Sequence, residues 1–491
     1  MFELSASSIP SWAAALLLPF IFLLWRTYRP SDSRRAPLVS YWIPWVGSAV
    51  DLAKPDAFFK GATEKYGPVF RVKALGREST YINSPSLINA VYRDNKRFDF
   101  QAIRLDMNEY LFSIPTAANR GPHMLGHWFP AQHRLLSPNA VPQILRAYTR
   151  EAYDALMKAI EIHDGCATLL FPFIIPSAYD SSAKAFFGHT FPTERTFAPF
   201  NKFNDSFHLI AAGAPRFLVA SSRRAWWNVV DIFTEYLEQL EKLQDEDLAP
   251  IVRLAMDIRR EGEWDTRTSA TALAAILWAL EGNAPLAAYW LVALLLQESE
   301  GLGPLISEVD EARASWLSAH PQTKLDASTF YDFLADSPLP LLNSTIQETL
   351  RVTSSVFSIR RVVAPVEIGG YQFNPGEEII CATRSVHMDE QVHPEPQLLK
   401  KERYVGTVHA KKDGQNVPNH SMPFGGGVSM CEGRHFALGE LKTFIALLLT
   451  YATIERDPSS SSKPDLMWER MGVGIMPPRG DIKVIVGKRK L

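Results

Sequence analysis

The stretch PFGGGVSMCEGRHFALGELKTF, residues 423–444, places Cys431 shortly after a glycine triplet and directly before a helical pattern. The three cysteines of the chain, Cys166, Cys381 and Cys431, are odd in number, far apart and without a CxxC pair. A disulfide framework or a zinc site therefore does not follow from them, and a reducing compartment fits. Two readings of the loop need no redox chemistry. A phosphate cradle fails, because no Lys-Ser/Thr pair follows Gly427 and Met430 stands where a third glycine belongs. A buried structural thiol is the usual fate of a free cysteine. The chemical reading uses more of the residues. Gly425, Gly426 and Gly427 let backbone approach a flat ligand closely. A helix starting near Glu432 to Arg434 aims its N–H groups and positive end at the sulfur, which favours a thiolate. A thiolate ligating haem iron favours O–O cleavage, and Phe424 could cover that face of the ring.

On these residues the chain resembles the cytochrome P-450 family. Phe424-Gly425-Gly426-Gly427-x-x-x-Cys431-x-Gly433-Arg434-x-Phe436-Ala437 looks like the family's haem-binding loop. The resemblance implies heme b with Cys431 as the metal ligand, and Phe424, Gly425, Gly427 and Arg434 around the cofactor. It also implies O2 and NADPH as cosubstrates, with electrons arriving from an NADPH-dependent reductase at the basic proximal face. The family usually has Arg or His two residues before the cysteine; Ser429 stands there, which removes one propionate donor and leaves the iron ligand.

Other segments join the resemblance. Glu348 and Arg351 in IQETLRVTSS share a helical face, a spacing that alone reads as a weak surface ion pair. As the family's E-x-x-R helix they imply a buried structural network completed by Arg403 of KKERY. In SIRRVV, Arg360 or Arg361 is implied as a propionate partner, since bidentate geometry suits a carboxylate. HWFPAQHRLLSP is similar to the family's tryptophan-and-arginine propionate helix with shifted spacing. Alignment on LLSP puts His133 at the arginine position, with Arg134 and Trp128 adjacent.

The largest departure lies in the apolar segment Thr266 to Glu298. The family carries Ala/Gly-Gly-x-Asp/Glu-Thr there, an acid and an alcohol that relay protons; aligned on Ala279, this chain reads Ala279-Leu280-Glu281-Gly282-Asn283. Gly282 and Asn283 thus stand at the catalytic positions. Glu281 lies about 100° round the helix and does not substitute. An amide can hydrogen-bond a substrate, water or oxygen, yet is a poor proton donor. Pro285 lacks an N–H, which predicts a kink and a notch. The structural alternative is that Asn283 satisfies the freed backbone. This pattern, with SIR and MPFGGG, resembles the branch of sterol 7-alpha-hydroxylase and prostacyclin synthase.

The elements that must position these residues are mainly α with small β-sheets. The chain has 491 residues, 46% hydrophobic and 21% charged, with a net charge of −2, which leaves no electrostatic footprint for nucleic acid. Residues 66–85 alternate like a hairpin turning at Gly76, helical patterns run from Ser86 to Leu350, and strands return at 366–383 and 480–486. Gly282, Asn283 and Pro285, with polar flanks, make the long apolar segment a buried central helix of the cytochrome P-450 fold.

The N-terminus differs in kind. Ile9 to Trp25 is almost wholly apolar and is followed by Arg26, Arg29, Arg34 and Arg35. Such a run makes roughly 25 Å of helix, enough for a thin bilayer. The arginines after it predict a single N-terminal membrane anchor in the endoplasmic reticulum, with the catalytic domain cytoplasmic. The expected organisation is an anchor over 1–29, a proline-containing linker over 30–48 and a haem-thiolate catalytic domain over 49–491. Phe98 to Arg120 is the expected lid, and Ala214 to Val230, with Trp226 and Trp227, either a membrane-dipping entrance or core.

The expected function is a monomeric monooxygenase that hydroxylates or otherwise oxidises an apolar polycyclic substrate of steroid or terpenoid type, in secondary-metabolite or sterol biosynthesis. The alternative is a haem-thiolate isomerase that needs no external electrons. A haem sensor without turnover is a third class, and the notch over the iron argues against it.

Overall fold

The computed structural model describes residues 33–43, 46–242 and 248–490. The apolar segment 9–25 expected as an anchor lies outside them. The chain divides into two compact units, one of Met1–Phe98 with Ile359–Cys381, the other of Asp99–Ser358 with Ala382–Leu491.

The smaller unit contains the expected hairpin. Val69–Ala74 pairs antiparallel with Arg77–Ile82, Ala74 facing Arg77 across the turn. Leu75 (φ 49°) and Gly76 (φ 79°) take the two left-handed positions that a two-residue turn requires. Residues 379–381 then add in parallel beside Thr80, Tyr81 and Ile82. Phe59, from the helix Pro55–Tyr66, packs on Tyr81 with ring centroids 5.0 Å apart and closes this small core.

Helices dominate the larger unit. Val141–His163 packs on Leu170–Phe187 and on Arg434–Tyr451, while Ala220–Leu240 packs on Thr193–Asp205 and on Thr266–Glu281. Ala284–Leu295 runs through the middle, against Leu170–Phe187, Pro340–Thr353 and Arg434–Tyr451. Its residues are apolar on nearly every face because nearly every face is covered. Three short strands, Cys166–Leu169, Lys483–Lys488 and Ala452–Arg456, form an antiparallel sheet in this unit.

The apolar segment expected as one kinked helix is two helices, Thr266–Glu281 and Ala284–Leu295, parted at Gly282 and Asn283. Asp265 caps the first, its side chain accepting the N–H of Thr268 at 2.6 Å. Asn283 has non-helical backbone angles (φ −133°, ψ −52°), and Pro285 enters the second helix in its first turn, where a missing N–H costs nothing. Among the described residues, Thr266–Leu295 is the one stretch long and apolar enough to cross a membrane, and 61% of its most apolar window is buried. Inside it Trp290 donates from Nε1 to the carbonyl of Met476 at 2.7 Å, a tie to the protein core.

Candidate functional site

The glycine loop is built by backbone conformation before any side chain acts. Gly425 (φ 71°) and Gly427 (φ 70°) lie in the left-handed region that favours glycine, with Gly426 extended between them. The chain then folds back, so that the N–H of Cys431 donates to the carbonyl of Phe424 at 3.0 Å. Arg434, the first residue of the helix Arg434–Tyr451, returns its Nη1 to the carbonyl of Cys431 at 3.1 Å. Cys431 keeps accessible surface although protein packs closely round its sulfur. Burial pushes the thiol up; the N–H groups of Gly433 and Arg434 and the Arg434 charge pull it down, and burial wins. The helix start therefore supplies the expected polarity but does not by itself make a thiolate. A bound metal ion would, because its charge is the largest in such a site. An accessible thiol at a helix start, on a loop opened by two left-handed glycines, fits a flat metal-bearing cofactor.

Arg104, which sequence reasoning missed, reaches this loop. Its guanidinium donates to Gln132 Oε1 at 2.8 Å, pairs with Glu432 Oε1 at 3.3 Å and lies 3.6 Å from the Phe129 ring centroid. Burial lowers its pKa, while Glu432 and then Cys431 raise it. Arg104 is thus a desolvated cation that feels the sulfur. No local pattern marks it, since Glu432 is 328 residues away.

Glu348, Arg351 and Arg403 come together out of water, the first two side chains with 0% exposure. Arg351 forks onto both Glu348 oxygens at 2.7 Å each, and Arg403 Nε donates to Oε1 at 2.8 Å. Burial pushes Glu348 up, but the hydrogen bonds and charges of Arg351 and Arg403 hold it below the usual carboxylate range. Arg351 Nη1 also donates to the carbonyls of His387 and Pro396 at 2.7 Å. His387 was not anticipated. Its buried Nε2 accepts the N–H of Met422 at 2.8 Å, which ties the ion network to the start of the glycine loop. Burial, then the charges of His393 and Arg351, holds His387 well below the usual imidazole range, so the ring stays neutral and able to accept.

The expected propionate residues are scattered. Trp128 is buried edge-on against Trp264, centroids 5.3 Å apart. His133 and Arg134 are exposed on the short helix Phe129–Leu135, whereas their neighbour Gln132 is buried and holds Arg104. Arg360 and Arg361 belong to the smaller unit. Arg361 pairs with Glu378 at 2.7 Å, and Arg360, nearly buried, lies 5.3 Å from the Tyr92 ring centroid.

At the helix break, Asn283 Oδ1 accepts the N–H of Ile475 at 2.9 Å, so the amide does bind backbone, but on the strand Val473–Ile475 and not within its own helix. A Cβ on Gly474 (φ 148°) would stand 2.0 Å from Asn283 Oδ1, so glycine there is what admits the amide. At Gly282 a Cβ would come within 2.9 Å of the Trp278 carbonyl. Glu281 turns elsewhere. Both carboxyl oxygens are buried with no hydrogen-bond partner among the described residues. Burial, then repulsion from Glu440 and Asp180, holds it well above the usual carboxylate range. Glu440, which accepts from Ser182 Oγ at 2.7 Å, is pushed up by burial to about 8.

An aromatic wall stands beside this break. Trp278 stacks on Phe207, centroids 4.0 Å apart, and meets Phe112 at 5.3 Å. Of the two readings open for Trp226, membrane-dipping entrance or core, the structure decides for core: it is 0% exposed and donates from Nε1 to the Phe112 carbonyl at 2.9 Å. Its indole has a buried acceptor, so core packing wins. Trp227 faces Arg267 at 4.8 Å, and the exposed apolar residues of this region are Phe217 and Leu218.

With this geometry in place, comparison with known proteins is informative. The family model described as Cytochrome P450 matches residues 37–258 and 332–484. Cholesterol 7-alpha-monooxygenase of Cricetulus griseus is 24% identical, over 96% of this chain and 97% of that protein. Prostacyclin synthase of Rattus norvegicus is 25% identical, over 96% of this chain and 99% of its own. Among solved structures, retinoic acid-bound cyanobacterial CYP120A1 superposes with a TM-score of 0.71 at 17% identity, covering 93% of this chain and 99% of that one.

Proposed function

The chain belongs to the cytochrome P450 family, and from that premise we propose that it is a membrane-anchored monooxygenase oxidising an apolar polycyclic substrate of steroid or terpenoid type. The observation that carries this reading is the accessible Cys431 thiol on its left-handed glycine loop. When bound, heme b supplies the one-electron and O2 chemistry.

The protein's own residues do the rest. Cys431 ligates the iron, and the N–H groups of Gly433 and Arg434 together with Arg104 stabilise its negative charge. Phe424, Gly425, Gly427 and Arg434 border the cofactor. Arg360 and Arg361 are the propionate candidates of the segment SIRRVV. Trp128, His133 and Arg134 keep that role as the second group of donors. The Glu348–Arg351–Arg403 network, through His387, holds the loop in place.

Across the broken helix, Gly282 leaves room and Asn283 offers its Nδ2 hydrogens while Oδ1 is held by Ile475. The aromatic wall of Trp278, Phe112 and Phe207 suits a rigid apolar ring system and excludes water. The sterol relative supports the substrate class. An anchor over 1–29, a linker over 30–48 and a catalytic domain over 49–491 place the enzyme, as a monomer, on the cytoplasmic side of the endoplasmic reticulum, with Phe217 and Leu218 beside the lipid. Electrons come from an NADPH-dependent reductase.

Turnover under ¹⁸O2 in membranes carrying this chain and a reductase, fed a panel of steroids and terpenoids, tests the reading. Labelled product formed only with NADPH is the expected result. An unlabelled isomer formed without NADPH would overturn it in favour of a redox-neutral rearrangement.

A further inference from the structure

Among the described residues outside the site above, one side-chain cluster has the composition and spacing of a metal centre. His123 and His127 lie four residues apart across a π-helical turn, Met124–Trp128. An i→i+5 turn is wider than an α-turn, so residues four apart come closer to the same azimuth. The two imidazole rings lie 4.9 Å apart between centroids and nearly perpendicular, at 80°. Glu261 approaches from just beyond the helix Pro250–Arg260, and ligand atoms of His123, His127 and Glu261 all lie within 4.8 Å of one another.

The two contacts of His123 are unlike each other in meaning. Its Nε2 stands 3.3 Å from Glu261 Oε2. That is long for a charge-assisted hydrogen bond, at about 2.7–2.9 Å. It matches the edge of a tetrahedron whose corners lie about 2.0–2.1 Å from a zinc ion. Its buried Nδ1 stands 3.3 Å from Glu263 Oε2 without making a well-formed hydrogen bond. Metal-ligating histidines characteristically turn their second nitrogen to a carboxylate, which fixes tautomer and ring orientation.

We propose that His123, His127 and Glu261 bind one zinc-type divalent ion, with Glu263 orienting His123 and water completing the tetrahedron. Two imidazoles and one carboxylate are borderline ligands that suit Zn2+ and leave a coordination position open. His127 and Glu261 are exposed, so the ion can enter from solvent. The consequence is mechanical. Trp128 follows His127, Trp264 follows Glu263, and the two indoles already pack edge-on at 5.3 Å. The ion therefore clamps that contact from the outside and ties the π-helical turn to the segment leading into Thr266–Glu281.

The competing arrangement is a protonated His123 held between two carboxylates with no metal, and the following experiment separates them. The untagged, haem-loaded full-length protein is stripped with a chelator, titrated with Zn2+ in a calorimeter and assayed for retained metal after gel filtration. One equivalent per chain is expected. His127→Ala and Glu261→Gln should each weaken binding at least tenfold, and Glu263→Gln by about 10–100-fold. His189→Ala, an exposed histidine outside the cluster, should leave binding unchanged. Haem spectra of each variant report folding independently. The proposal is overturned if the parent retains no zinc, or if His127→Ala and Glu261→Gln retain it with parental affinity.

Discussion

The region round Cys431 and the region round Asn283 are held by opposite means. Behind Cys431 the buried charges are compensated: Glu348 is forked by Arg351 and capped by Arg403, and the remaining guanidinium hydrogens reach carbonyls of His387, Pro396 and Pro394. At the helix break the Asn283 side chain is held by the N–H of Ile475, and its neighbour Glu281 is buried with no hydrogen-bond partner among the described residues. A fully satisfied network makes a rigid support, and a sparsely bonded break is the less constrained of the two.

Five substitutions test that contrast, beginning with the largest effect. Cys431→Ser should abolish the thiolate signature of the reduced carbon monoxide complex and all turnover, since no other thiol replaces it. Cys381 lies in the smaller unit, buried, with its thiol pushed up to about 12. A surviving thiolate spectrum would break the assignment.

Glu348→Gln leaves Arg351 facing a neutral partner out of water, at a cost of about 3–5 kcal/mol. The urea midpoint of the holoprotein reads this loss. Because the folded pKa of Glu348 lies below its unfolded value, its contribution is present above about pH 4.3 and lost as pH falls through the folded value. The penalty should therefore be largest near neutrality and shrink in acid. A pH-independent penalty would mean packing and not charge.

Gly474→Ala should cost about 1–3 kcal/mol from backbone strain alone. Its sharper result is functional. The added methyl group displaces Asn283, so Gly474→Ala and Asn283→Ala should show the same change in coupling between electron use and product, with an unaltered haem spectrum. Parental coupling in both variants would return Asn283 to a purely structural role.

Glu281→Gln carries the smallest effect and the opposite sign. Glu281 stays protonated in the folded protein while unfolded carboxyls ionise above about pH 4.3. Folding stability should therefore fall as pH rises from there, and Glu440 adds to the fall up to its own value of about 8. The glutamine variant should match the parent in acid and gain on it as pH rises through neutral. Equal pH profiles would show that Glu281 ionises with a partner after all.

The contrast also explains what could be read early. The glycine loop, the Glu348–Arg351 spacing, the hairpin at Gly76 and the break near Pro285 are visible in the chain because each rests on a local constraint. Left-handed φ favours glycine, a helix places i and i+3 on one face, and proline has no N–H to donate. The sequence left Trp226 open between lipid and core because aromatic periodicity is the same for a lipid-facing and a core helix; the Phe112 carbonyl decides it.

The amino-acid order by itself thus determined the loop that presents Cys431, the helix that carries the paired Glu348 and Arg351, and the glycine and amide that stand just ahead of Pro285. Only the tertiary structure decided that Arg104 meets Glu432, that His387 anchors Met422, that Asn283 turns to Ile475 and that burial holds Glu281 well above the usual carboxylate range. The physical reason is range. Backbone preferences act over a few residues, whereas desolvation and the choice of hydrogen-bond partner are set by segments that become neighbours only when the chain has packed.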